Sequence, residues 1–207
     1  MLNIPNIQQA MSVFVAEELS EVLNTKVVIG RINMGLLNRI IIDDVLLDDQ
    51  SGQEMLKVTR LSAKFDIMPF FKGKISISSV QLFGFNINLR KETPDSPPNF
   101  KFVLDAFASK DTVKKENSLD LRINSILIRR GRMSYHVLSE EETPGKFNAK
   151  HIQLQNIIAN ISLKALSKDS LNLGIKRLSL DEKASGFSLK KMSLKLVANN
   201  KQTNIDN

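Results

Sequence analysis

The chain has 207 residues, 42 % of them apolar, enough to bury one large core or two small ones. It has no cysteine, which excludes a disulfide framework, thiolate metal sites and a cysteine nucleophile, and no apolar run reaches the roughly 20 residues that cross a bilayer. Its net charge of +7 is uneven, with six Lys or Arg against nine Asp or Glu in residues 1–70 and 23 against 13 in 71–207. A basic half attracts nucleic acid or anionic lipid, but one tyrosine and no tryptophan leave little for bases to stack on, which argues against nucleic acid.

In chain order, apolar residues at Ile4, Ile7, Met11, Phe14, Val15, Val22 and Leu23 predict a helix over about 4–23, with Pro5 in its first turn and Asn24 in the left-handed position that ends it. A first β unit follows over 25–91. Its "DDQSG" cluster, Asp48 to Gly52, lacks the ligand spacing of an EF-hand loop and reads as a solvated turn. Residues 92–118 form a linker, "ETPDSPP", and a short helix in which Phe100, Val103, Leu104 and Phe107 share a face and Asn99 is placed to cap. A second β unit covers 119–198, and the last residues fray.

The strands share an unusual rhythm. In "ISISSVQL" the apolar residues Ile75 and Ile77 alternate, Ser78 and Ser79 break the phase, and Val80 and Leu82 resume it. The pattern recurs across the spacers Gly30–Arg31, Asn124–Ser125, Gln155–Asn156, Lys176–Arg177 and Lys190–Lys191. Apolar residues three apart point to opposite sides of a regular strand. Either both faces are buried in turn, or an extra residue forms a β-bulge that restores the original face and curls the sheet; the polar spacers favour the bulge. Residues 75–89 also align with 121–135 at an offset of 46, which marks a repeated β unit.

The fold class expected is α+β and β-rich: a twisted, curled antiparallel sheet forming a groove, with an N-terminal amphipathic helix and a short second helix. If the spacers are bulges, Ile75, Ile77, Val80 and Leu82 share a face with Leu121, Ile123, Ile126 and Ile128, an apolar strip open to an acyl chain unless helices cover it. The Phe100 helix, between polar linkers, is the expected cover. "IRRGR" brings Arg129, Arg130 and Arg132 close together, and arginine forks suit phosphate oxygens of a headgroup. No catalytic constellation is found, and no cofactor or metal is expected. His136 and His151 have no ligand spacing and read as ordinary surface or edge histidines.

The opening "IQQAMSVFVAEELSEVLNTKVVIGRINMGLLNRIIIDDVLLDDQ", with "FFKGKISISSVQLFGFNINLRK", "NFKFVLDAF" and "EKASGFSLKKMSL", resembles the N-terminal region of the AsmA-like/TamB family. That family supplies the inner-membrane subunit of the translocation and assembly module. The resemblance spans nearly the whole chain and consists of strand patterns. It implies a Gram-negative protein held at the periplasmic face of the inner membrane by an N-terminal transmembrane helix, with a taco-like β-groove lined by apolar side chains. It further implies a role in lipid transport and outer-membrane protein assembly, phospholipid or another acyl chain as ligand, and an outer-membrane β-barrel partner reached through a C-terminal part. The chain is accordingly read as a soluble N-terminal piece of such a protein, a single region over 1–207. The alternative expectation is a purely structural β module that stacks on further β units without binding lipid.

Overall fold

The computed structural model describes residues 5–36, 38–65, 75–108, 119–120, 124–166, 170–199 and 203–206. Helix α1 runs Pro5–Leu23. Asn24, at φ 49°, ends it, and Thr25 N–H reaches back to the Ser20 carbonyl at 3.1 Å. The helix packs through Ser12, Val15, Ala16 and Leu23. Phe14 and Val22, expected on the buried face, are 62 % and 44 % exposed. Small residues win that face because they let the helix approach β1 closely, and Ser20 accepts a hydrogen bond there from Val27 N–H at 3.0 Å.

The strands are β1 (Val27–Gly35), β2 (Arg39–Asp48), β3 (Glu54–Phe65), β4 (Ile75–Lys91), β5 (Leu119–Asp120), β6 (Ser125–Val137), β7 (His151–Leu166), β8 (Ser170–Glu182), β9 (Ser188–Asn199) and β10 (Thr203–Asp206). Helix α2 is Lys101–Ala108. The strands form one open, curled sheet in the order β1-β2-β3-β4-β6-β7-β8-β9-β10, with β5 beside β4. Pairing is antiparallel except that β4 runs parallel to β6 and to β5. Parallel neighbours cannot be joined by a hairpin, and the stretch between β4 and β6, with α2 in it, is the crossover. The β4–β6 partners run from Ser79↔Ser125 to Lys91↔Val137, and every pair is 46 residues apart. The repeat read from sequence is therefore physical: equivalent residues of the two units lie side by side.

The phase breaks resolve mostly as bulges. Ser78 is the extra residue of β4 against β3, Lys176–Arg177 hold that of β8, Lys190–Lys191 that of β9, and Gln155–Asn156 that of β7, with Asn156 at φ 54°. In β1 the break takes another form. Ile29 pairs with Val45 and Arg31 with Asp43, so no residue is extra, and Gly30 lies opposite Asp44 at φ 56°.

Two carboxylates anchor turns. Asp49 is not solvated: it is 1 % exposed, pairs with Arg90 at 2.6 Å, and accepts from Ser51 N–H, Gln53 N–H and Asn99 Nδ2 at 2.9, 3.1 and 3.1 Å. Asn99 therefore does not cap α2; its Oδ1 accepts from Arg90 N–H at 3.0 Å. At the β8–β9 turn Glu182 is 2 % exposed. Burial works to raise its pKa, but donation from the Ser185 hydroxyl and from the N–H groups of Ser185, Ala184 and Gln153 outweighs that and holds it at about 2, against 4.5 for an ordinary glutamate. A depressed pKa contributes stability that is complete above pH 4.5 and is lost as pH falls toward 2. Glu182→Gln sets an amide donor against those donors and should cost about 1–3 kcal/mol near neutrality. The gap in melting temperature between wild type and variant should narrow as pH drops from 4.5 to 2; a constant gap would contradict the assignment.

Candidate functional site

Cross-strand partners share a face of a sheet, so the register builds the site directly. One row runs Ile42, Leu61, Leu82, Ile128, Ala159, Leu178 and Met192, from β2 to β9. A second, two residues along each strand or three across the β8 bulge, runs Ile40, Ala63, Val80, Ile126, Ile161, Ile175 and Leu194. Every member is apolar, and all but the buried Ala159 are half-buried. The continuity depends on the parallel seam, which sets Val80 against Ile126 and Leu82 against Ile128.

Four of the expected strip residues are thus brought together: Val80, Leu82, Ile126 and Ile128. Ile75 and Ile77 belong to β4, but their side chains lie outside the described residues, as do Leu121 and Ile123 altogether.

A crease crosses the sheet beside the rows. Asp44, Gly84, Arg130 and Asn156 all have positive φ, at 56°, 64°, 55° and 54°, on β2, β4, β6 and β7. At Gly84 and Asn156 this lets apolar residues three apart face the same way. Leu82 and Phe85 both join the central cluster of Val58, Phe85 and Ile157, and so do Leu154 and Ile157. Gly131 makes the packing possible at the crossing of β4, β6 and β7. A Cβ there would lie 2.3 Å from Phe85 Cε1 and 3.0 Å from Ile157 Cβ.

The helices sit at one end. Phe100, Phe102, Val103 and Ala106 of α2 and its flank pack with α1 against Leu23, Val27, Ile29 and Met55. Ile29 pairs with Val45, which packs on the central cluster, so the helices occupy the β1 end of the face that carries the rows. The residues packed against the central cluster are otherwise all from strands. The expectation that the Phe100 helix covers the strip is corrected: Phe100 and Val103 go to the first cluster, because the Asn99–Asp49–Arg90 contacts hold the helix start at the β2–β3 turn, while Leu104 is exposed and the side chain of Phe107 lies outside the described residues.

The arginines point elsewhere. Arg129 adjoins Ile128, and Arg132 adjoins Met133, whose side chains face the rows, so both lie on the opposite face. There the row Arg31, Asp43, Arg60, Phe83, Arg129 lines a cleft of about 820 Å³, in which Arg60 pairs with Asp43 at 2.6 Å. Arg130, at the crease, stacks on Phe83 at 5.0 Å. A lipid lying along the apolar rows would not meet Arg129 or Arg132 with its headgroup.

Sequence reasoning missed the histidines. His136 and His151 are direct partners across the β6–β7 hairpin, with Nδ1 atoms 3.0 Å apart, and His151 is only 8 % exposed. The signal was the turn cluster after Glu140: a hairpin folded there pairs residues whose numbers sum to 287, as Tyr135↔Ile152 and His136↔His151 do.

No protein-family model matches the sequence, and no curated protein matches it. The class defined by fold and site is an open, curled β-sheet with one apolar face and two helices packed at its β1 end.

The crossing at Gly131 gives a test of the crease. Gly131→Ala removes about 0.4–1 kcal/mol of unfolded-chain entropy, but the clash with the buried Phe85 ring should cost about 1–3 kcal/mol and win. Denaturant unfolding should show a net loss of stability; a neutral or stabilised variant would mean that the three strands do not meet this closely.

Proposed function

We propose that this chain is the N-terminal periplasmic segment of a TamB/AsmA-like envelope-biogenesis protein, and that its curled sheet is a scaffold along which phospholipid acyl chains lie. In this reading the whole protein is anchored in the inner membrane, acts in outer-membrane protein assembly with a β-barrel partner, and is not an enzyme. Among the described residues no helix is long and apolar enough to cross a membrane, so the anchor belongs outside them.

One observation carries the reading: two uninterrupted apolar rows cross from β2 to β9, and both helices pack at the β1 end. Each aliphatic side chain gains roughly 1.5–3 kcal/mol on full burial, so rows left half-buried favour an apolar occupant. A second observation favours continuation of the groove. Among the described residues β10 pairs only with Lys195–Ala198 of β9, which leaves the outer edge of Ser188–Leu194 without a strand partner. Open edges recruit strands, and Lys190 and Lys191 discourage indiscriminate pairing there. The stacking-only alternative shares this edge and differs in leaving the rows dry.

Native mass spectrometry of the chain mixed with phosphatidylglycerol separates the two. Wild type should carry a lipid adduct. Ile126→Asp and Leu178→Asp, each placing a charge in a row, should lose it while melting cooperatively, and Arg129→Ala should keep it. A folded wild type without adduct, or row variants that bind as wild type does, would favour the stacking module.

A further inference from the structure

We propose that His136, His151 and Glu142 form a binding site for a divalent transition-metal ion such as zinc, at the hairpin end of β6 and β7. The site is independent of the apolar rows, and either proposal can fail without the other.

The chain builds it from one hairpin. His136 is the penultimate residue of β6, His151 opens β7, and their pairing puts both rings on one face with centroids 5.3 Å apart. The loop between them returns Glu142 over the pair. Its Oε1 lies 3.8 Å from His136 Nδ1 and 4.0 Å from His151 Nδ1. The loop is held in place: Asn148 Nδ2 donates to the Glu141 carbonyl at 3.2 Å, Gly145 N–H to the Ala184 carbonyl at 3.1 Å, and Lys150 pairs with Glu140 at 2.7 Å.

The tautomers suit a metal. His151 Nε2 is 2.9 Å from the Glu140 carbonyl, which can only accept, so that nitrogen carries the proton and Nδ1 presents a lone pair. This is the outer contact that orients a metal-ligating imidazole. The Nδ1 of His136, 3.0 Å away, then donates to it, so a single proton sits where a cation would. When the metal takes that place, it replaces the hydrogen bond between the two rings, and His136 carries its proton on Nε2 instead.

The spacing is close to that of a filled site. Two nitrogens on one tetrahedral zinc, at about 2.0–2.1 Å from the ion, lie roughly 3.3 Å apart. The nitrogens must open by a few tenths of an ångström, and the carboxylate of Glu142, 63 % exposed and free to move, must close by about half an ångström. Three ligands leave a fourth position, and a cleft of about 220 Å³ lined by Thr143, Asn148 and Gln153 adjoins it with room for water or for a partner's side chain. Imidazole with carboxylate selects zinc, nickel, copper or iron over magnesium and calcium.

Titration calorimetry of the full chain with zinc chloride tests the site. One equivalent should bind saturably, magnesium should not compete, and zinc should raise the melting temperature. His136→Asn and Glu142→Gln should each weaken binding at least tenfold. Glu142 is exposed, so its variant keeps the fold even if His136→Asn disturbs the hairpin. No saturable binding, or zinc held equally well by Glu142→Gln, overturns the three-ligand site.

Discussion

The parallel pairing of β4 with β6 is the constraint on which the rest depends. It joins two antiparallel meanders edge to edge, and its register of 46 residues sets equivalent positions of the two units side by side. A slip of one residue would turn every apolar side chain of the second unit to the other face. Held in this register, Leu82 meets Ile128 and Val80 meets Ile126, and rows begun in β2 continue to β9 without a polar interruption. The crossover between the strands is long because parallel neighbours require it, and it delivers α2 to the β1 end.

Curvature comes from a second constraint. A strand with strict alternation would send half its apolar residues outward after each spacer. Extra residues at Ser78, Asn156, Lys176–Arg177 and Lys190–Lys191, with the positive-φ crease through Asp44, Gly84 and Arg130, shift that alternation and bend the strands, so that Leu82 packs with Phe85, and Leu154 with Ile157, in one cluster. Left-handed backbone at a non-glycine residue costs about 1–2 kcal/mol, and burial of Val58, Phe85 and Ile157 at the crease offsets it. The turns are fixed separately, by Asp49 and Glu182, each satisfied by several donors.

Local patterns were legible in the sequence, and contacts between distant segments were not. The α1 span, Asn24 as its end and most of the bulges follow from residue spacing within ten positions, because period and φ preference are local properties. The repeat offset was legible as pattern, but the direction of pairing was not, since alternation reads the same in parallel and antiparallel strands. Asp49 looked like a solvated turn residue because its partners Arg90 and Asn99 are about 40 and 50 positions away. Arg129 and Arg132 looked like companions of the strip because sequence proximity hides which face a side chain takes. The position of α2 depended on the same distant contact through Asn99.

The proposed function requires that acyl chains lie on the apolar face and not on the arginine-lined face opposite. Site-specific photo-crosslinking addresses it most directly: a photoreactive side chain at position 178 in one sample and at position 129 in another, each irradiated with labelled phosphatidylglycerol. Strong lipid labelling from position 178 with little from 129 is the predicted result. Equal labelling from both, or labelling from 129 alone, would contradict it.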